Sequence, residues 1–237
     1  MIQVSVCLPV YNGLKWLPIQ IDSILLQLGD NDELIINDDG STDGSYEWLL
    51  RLSKLDKRIR LFRDGPYRNV VKNVAFCLSK VRGEYVLLSD QDDEWLPGKL
   101  NGMLIALQRH IMVIHDARIV DESSNIVHPS FFKIQKSGSG LIRNFIRNGY
   151  LGCCMGFRSE LLTKALPFPE NTAMHDIWLG NVAAVMGKVS FQNEVWLNYR
   201  RHGGNVSSSS EPSTNSTLKK IQLRLALLFQ LVKRFLR

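Results

Sequence analysis

The feature that most limits what this chain can become is an alternation in its first hundred residues. Short, nearly continuous apolar runs take turns with stretches of helical periodicity. "VSVCLPV" (4–10) reads as a strand buried on both faces. Apolar residues at helical spacing follow at Leu17, Ile21, Ile24, Leu25 and Leu28. Next come the strand-like "ELIIN", the turn "DDGSTDGS", and a helical stretch with Tyr46, Leu49, Leu50 and Leu52. "RIRLF", a helix over Asn69–Val81 and the strand-like "EYVLL" complete the series. This rhythm predicts right-handed βαβ units and an α/β fold with a doubly wound, mostly parallel sheet. Ligands of such sheets bind beyond the carboxyl ends of the strands. "PVYNG", "NDDGSTD" and "SDQDDEW" each stand at such an end, so three polar loops are expected at one edge.

The second half is less regular. A helix is expected from Pro97 to His110, opened by proline in its first turn. "IMVIHDARIVD" predicts one or two strands, and 122–139 has no clear period and reads as a flexible excursion. "GCCMGF" predicts a short strand, Ser159 a cap for the helix "ELLTKAL", and "PFPEN" a loop. "HDIWLGNVAAVMG" predicts a helix stopped by Gly187, and "VSFQNEVWLNYR" predicts strands. A polar linker, 207–217, separates this domain (1–206) from a basic segment, 218–237.

Charge is unevenly spread. The chain holds 29 Lys and Arg against 23 Asp and Glu, and six of the basic residues lie in 218–237 without an acid. The rest is therefore balanced, which argues against general nucleic-acid binding. On a helical wheel Leu218, Ile221, Leu225, Leu228, Phe229, Val232, Phe235 and Leu236 share one face. The basic residues lie on the other, with Leu223 and Leu227 among them. Such a helix suits an anionic membrane interface; a face packed on its own domain or on a second subunit is the alternative. Basic residues interrupt it too often for a membrane span. The four cysteines, Cys7, Cys77, Cys153 and Cys154, lack metal-type spacing and follow no secretory signal. Free thiols in a reducing cytoplasm are expected.

"SDQDDEW" places four carboxylates within five residues, which repel unless solvated, protonated or paired with cations. Alone, the stretch fits a solvated turn as well as a site for a hard divalent cation, Mg²⁺ or Mn²⁺. Asp90 and Asp92 have the spacing to share a pocket, with Gln91 turned elsewhere and Asp93 and Glu94 left as solvated turn residues. "NDDGSTDGS" alone reads first as a tight turn, yet an Asp at a strand end also supplies an acceptor for a nucleobase imide. Tyr11 offers a stacking face, or is a partly buried loop aromatic. Asp176 alone reads as a helix cap. Trp95 and Trp178 read as packing residues, Trp178 with a place near an acceptor as the alternative.

Taken together and in order, "VSVCLPVYNG", "IINDDGSTDGS" and "GEYVLLSDQDDEWLPGKL" resemble the donor-binding half of family 2 glycosyltransferases of the GT-A fold. "GCCMGF", "LPFPENTAMHDIWL" and "YRRHGGNVS" resemble the rhamnosyltransferase-like branch, with O-antigen and capsule sugar transferases. The resemblance spans roughly residues 2–208. It implies a nucleotide-sugar half at about 1–110 and an acceptor and catalytic half at about 111–206. It further implies that Tyr11 stacks on the base, that Pro9 shapes its loop, and that Asp39 rather than Asp38 accepts the imide hydrogen bond. Asp90 would contact the ribose or the metal-linked network, Asp92 would ligate the metal, and His202 would close the metal or diphosphate site. Lys72 and Asn73 would contact the donor, and Asp176 would be the catalytic base, preceded by His175 where an acid is commoner.

The implied activity is metal-dependent, inverting transfer of a sugar from a dTDP- or UDP-sugar to a saccharide or lipid-linked saccharide acceptor. The setting is bacterial surface polysaccharide synthesis, in the cytoplasm or peripheral on the inner face of the cytoplasmic membrane. The QxxRW signature of processive synthases is absent. Two rivals are a non-catalytic nucleotide-sugar-binding protein and a sugar-nucleotide pyrophosphorylase. The pyrophosphorylase fits poorly, because "PVYNGLKW" is not its Gly-rich basic loop.

Overall fold

The computed structural model describes residues 2–203 and 216–236; the expected linker, apart from its last two residues, lies outside them. The first half runs β1 (Val4–Val10), α1 (Leu17–Leu25), β2 (Glu33–Asp38), α2 (Ser45–Leu55), β3 (Ile59–Phe62), α3 (Val70–Ser79) and β4 (Tyr85–Leu88). It continues through β5 (Glu94–Trp95), α4 (Lys99–Leu107), β6 (Met112–Val120), β7 (Ile126–His128), α5 (Phe131–Gln135) and α6 (Leu141–Ile146). The remainder is β8 (Met155–Arg158), α7 (Leu162–Ala165), α8 (His175–Met186), β9 (Val189–Arg200) and α9 (Thr217–Phe235). All described strands join one sheet of order β3-β2-β1-β4-β8-β6-β9-β5, with β7 on β6.

β1 to β4 pair in parallel, as the buried apolar runs require, and β8 then turns antiparallel between β4 and β6. The register pairs Val10 with Asp38 and Cys7 with Leu88, so the chain leaves β1, β2 and β4 at one edge. α3 packs on β1 and β2, and α4 on β6, β8 and β9. At the opposite edge the buried Glu33 is satisfied by Ser5 Oγ at 2.5 Å, Arg60 at 2.6 Å and the Arg82 N–H at 2.9 Å.

Several local expectations are corrected. Residues 122–139 are not a structureless excursion, because Phe131 and Phe132 are buried and anchor α5. Asp116 accepts from Ser130 Oγ and from the Phe132 N–H at 2.9 Å, which fixes that return. "VSFQNEVWLNYR" is one strand, β9, whose irregular register against β6 absorbs its length. Ser159 caps nothing with its side chain and opens a short 3₁₀ turn before the four-residue α7. Gly187 does end α8, but at φ −179°, extended rather than left-handed. All four cysteines are buried free thiols.

α9 docks by a mixed face that shares only the edge of the apolar one, at Phe235. Leu227, Leu231 and Phe235 pack inward. Arg234 donates to the carbonyls of Lys164 and Leu166 at 3.0 and 2.8 Å, its guanidinium 5.5 Å from the Trp178 ring. Leu218, Ile221, Leu225, Leu228, Phe229 and Val232 face outward. Among the described residues no helix is long and apolar enough to cross a membrane.

Gly102, in the middle of α4, is dictated by packing: a Cβ there would fall 2.3 Å from the Trp196 indole. Gly102→Ala gains up to about 1 kcal/mol of helix propensity but overpacks against a rigid ring, at about 1–3 kcal/mol. A net loss of about 1–2 kcal/mol is expected, read as a lower urea midpoint at unchanged slope.

Candidate active site

The three loops are stitched to one another before any ligand is considered. The Tyr11 N–H donates to Gln91 Oε1 at 2.8 Å, and Gln91 Nε2 donates back to the Tyr11 carbonyl at 3.0 Å. A Cβ on Gly13 would lie 2.5 Å from that amide, so the clamp needs glycine there. Gln91 therefore does turn away from its flanking aspartates, toward the β1 loop. The Asn12 N–H donates to Ser41 Oγ at 2.8 Å, and Asn12 Oδ1 accepts from the Thr42 N–H at 2.8 Å.

Asp38 and Asp39 separate cleanly. Asp38 Oδ1 accepts from the Gly40 and Ser41 N–H groups at 3.1 and 3.0 Å and closes the turn. Asp39 lines the pocket and accepts from the Tyr67 N–H, which ties down the loop after β3. Gly65 of that loop sits at φ +145°, where a Cβ would also strike the Asp39 carboxylate. Burial pushes the Asp39 carboxyl up, against the opposing N–H groups of Arg68 and Asn69.

A cavity of about 380 Å³ opens at this edge. Of the residues singled out from sequence, Pro9, Tyr11, Asp39, Asn73, Asp90 and Asp92 line it. Lys72 is not brought there: its side chain is exposed on α3, and its N–H donates to the capping Asn69. Asn73 lines the wall with its amide engaged. It donates to the Val10 carbonyl at 3.3 Å and accepts from Asn37 Nδ2 at 3.0 Å, holding β1 to β2. The Tyr11 ring is 41% exposed, with the Arg68 guanidinium 4.3 Å from its centroid.

At the other end of the cavity the carboxylates converge. Asp93 and Glu94 are not solvated turn residues. Asp93 is 1% exposed and accepts from the Arg200 N–H at 3.0 Å, and Glu94 in β5 accepts from Asn198 Nδ2 at 2.7 Å. The physical reason is the return of β9 against β5, which puts a buried arginine at the loop. Arg200 also donates from Nε to the Asp92 carbonyl at 3.1 Å and from a terminal nitrogen to the Asp121 carbonyl at 3.0 Å. Its guanidinium lies 4.7 Å from the Trp16 ring. His202 Nε2 hydrogen-bonds Asp92 Oδ2 at 2.8 Å and stacks on Trp16. Lys99 is fully buried over the Trp95 ring at 4.3 Å and donates to the Cys153 carbonyl at 2.8 Å.

Lys99 and Arg200 do not cancel the acids. Burial first, then the neighbouring Asp92 and Asp176 charges, pushes the Asp90 carboxyl up to about 7. Burial and Asp92 likewise push Asp93 up. Asp176 sits in the first turn of α8, whose N-cap is Met174; its carboxylate accepts from the Ile177 N–H at 2.7 Å, serving the helix end from inside the turn. Burial raises its pKa, against His175, the Ile177 N–H and the Asn148 side chain. His175 lines the cavity, is kept neutral by burial, and has no hydrogen-bond partner at Nδ1 among the described residues. Gly152 makes room for it: a Cβ there would lie 2.7 Å from His175 Nε2.

The donor set fits a hard divalent cation. Asp90, Asp93 and Cys153 offer ligand atoms within 4.8 Å of one another, and the buried Asp93 Oδ2 has no hydrogen-bond partner among the described residues. The thiol is pushed up by burial, away from the thiolate a soft metal needs, which leaves the carboxylates as the ligands. Sequence reasoning missed Arg68, His175 as a wall residue, Lys99 and Arg200. "PGKL" and "YRRHGG" contain two of them, but nothing in those strings says that a lysine and an arginine are buried.

Arg200→Lys keeps the charge but loses the fork to the Asp92 and Asp121 carbonyls; a loss of about 2–4 kcal/mol is expected in denaturant melts. Mn²⁺ at about a hundredfold over its dissociation constant is expected to raise the melting temperature by about 5–10 °C. Asp90→Asn should remove most of that shift in the same scan.

A family model described as Glycosyl transferase family 2 matches residues 5–166. An uncharacterized glycosyltransferase of Nostoc sp. is 27% identical over 247 aligned positions, covering 99% of this chain and 76% of that protein. The fold is like that of S. aureus TarS 1-349 in complex with UDP-GlcNAc, at TM-score 0.70 and 16% identity, covering 98% of this chain and 73% of that one. It is also like the mannosyltransferase PcManGT from Pyrobaculum calidifontis in complex with GDP-Man and Mn²⁺, at TM-score 0.60 and 20% identity over 81% of this chain and 55% of that one. A mixed sheet whose parallel half ends in an acid-rich pocket is thus a GT-A architecture, and the chain belongs to glycosyl transferase family 2.

Proposed function

We propose that the protein transfers a sugar from a nucleoside-diphosphate donor to an acceptor hydroxyl with inversion. The observation that carries this is convergence: Asp90 and Asp92 line a cavity that Asp39 and Tyr11 also line, and Asp93 and Asp176 interact with Asp90 from behind that wall. The base stacks on Tyr11, where it meets Arg68, and donates its imide hydrogen to Asp39. A carboxylate has about four acceptor sites, so the backbone donors already on Asp39 leave room for it. Pro9 and Asn73 shape this wall. Asp90, Asp92 and Asp93 hold the cation, Mg²⁺ or Mn²⁺, and His202 orients Asp92. That cation supplies Lewis-acid neutralisation of the leaving diphosphate.

Asp176 takes the proton from the acceptor hydroxyl. Its raised affinity for protons suits a general base, and Asn148 holds its carboxylate. His175, neutral and with Nδ1 unoccupied, is placed to hold an acceptor or sugar hydroxyl. In this reading residues 1–110 serve the donor and 111–206 the acceptor. The donor is a dTDP- or UDP-sugar, rhamnosyl or hexosyl. The product is a bacterial surface polysaccharide such as O-antigen or capsule, made in the cytoplasm with peripheral membrane contact through 218–237. The order of motifs from "GCCMGF" to "YRRHGGNVS" supports that branch.

Asp176→Asn should lower kcat for transfer by about 10²–10⁴ while leaving donor affinity within about twofold. A donor panel with Mn²⁺, read by product mass and anomeric configuration, checks it. Wild-type transfer by the variant, or retention at the anomeric carbon, would remove Asp176 from this role. Turnover of sugar phosphate with nucleoside triphosphate would favour a pyrophosphorylase.

A further inference from the structure

Two surface helices share a composition that the cavity does not explain. On α6, Ile142 is 74% and Ile146 57% exposed, with Leu141 also exposed beside Arg143 and Arg147. On α9, Phe229 is 69% and Leu225 60% exposed, in a stripe flanked by Lys219 and Lys233. The helices abut: Arg224 of α9 donates to the Phe145 carbonyl at 3.3 Å and to the Ile146 carbonyl. No Asp or Glu occurs between Glu122 and Glu160, nor from 216 to 237.

We propose that α6 and α9 together form one docking surface for an anionic lipid bilayer, deepening the peripheral contact suggested above. The apolar side chains enter the headgroup boundary while the lysines and arginines meet lipid phosphates. Charge selects this occupant over a second copy of the chain, because a two-fold contact would press two acid-free basic surfaces together. α9 is already held to its domain by Leu227, Leu231 and Arg234, so its outward face is fixed relative to the cavity. The surface also connects to the chemistry. Asn148, two residues beyond α6, is near enough to Asp176 to act on its carboxyl, so an amphiphilic acceptor lying in the bilayer would present its head group on the Asp176 side. That last step rests on the transferase reading.

The full chain is floated with phosphatidylcholine vesicles, with and without phosphatidylglycerol. It is compared with Ile142→Gln/Ile146→Gln on α6 and Leu225→Gln/Phe229→Gln on α9. All four side chains are exposed, so thermal melts and donor hydrolysis should match wild type. Wild type is expected to float only with the anionic vesicles and to be released by salt. Each paired variant should bind at least about tenfold less. Wild-type flotation of the α6 variant would refute the two-helix surface. So would equal flotation on neutral vesicles, or a wild-type dimer that both variants reduce to monomer. Flotation as expected with no turnover of any donor would sink the transferase reading and leave the surface standing.

Discussion

The crowding of like charge where β4 ends is the constraint around which the rest is arranged. Beyond burial, Asp92 and Asp176 raise the proton affinity of Asp90, and Asp92 and Asp90 raise that of Asp93. A chain could hold them apart in water, but here the return of β9 against β5 closes over Asp92 and Asp93 through Arg200. The fold answers with two basic side chains and a histidine. Lys99 comes from beneath over Trp95, Arg200 threads the loop with its backbone and guanidinium, and His202 engages Asp92 from above Trp16. Their compensation is partial, and among the described residues Asp93 Oδ2 has no hydrogen-bond partner. Residual negative potential beside a polar cavity is what a cation and a diphosphate together require.

That arrangement works only if the loops hold still. Much of their rigidity comes from side chains that serve backbone groups, the Gln91–Tyr11 exchange, Asn12 to the β2 loop and Asn37 with Asn73. Each satisfies groups that a sheet edge would otherwise leave to solvent. The same economy explains why Asn73 reads as a ligand contact in the sequence yet is engaged in the structure. A polar residue at the carboxyl edge can serve the fold first and the ligand only through the wall it makes.

α9 shows how an amphipathic pattern can mislead about which face is used. The wheel separates an apolar face from a basic one that also carries Leu223 and Leu227, and burial would be expected on the apolar face. Instead the domain takes the mixed face, because Arg234 and Arg224 find unpaired carbonyls at the ends of α7 and α6 while Leu227 and Leu231 fill between them. An arginine that reaches a helix-end carbonyl is a good packing residue; a stripe of leucines left outside is an interface in waiting.

The parallel half of the sheet, its order of strands and helices, and the meeting of three polar loops were legible in residues 1–95, because period and turn chemistry are local properties. So was the turn of Gln91 away from its flanking aspartates, whereas the choice of Asp39 over Asp38 came with the family resemblance and not from the turn itself. Asp93, Lys99 and Arg200 were not legible, since their burial depends on β9, about a hundred residues further on, crossing over the β4 loop. The exposure of Lys72 was legible, since a lysine in a helical stretch reads first as solvated, and only the resemblance set it against the donor. By itself the sequence determined which elements form and which chemistry gathers at the carboxyl edge. Only the tertiary structure decided which charges are buried and which face of α9 stays open, because desolvation is set by what packs on top of a residue, not by its neighbours in the chain.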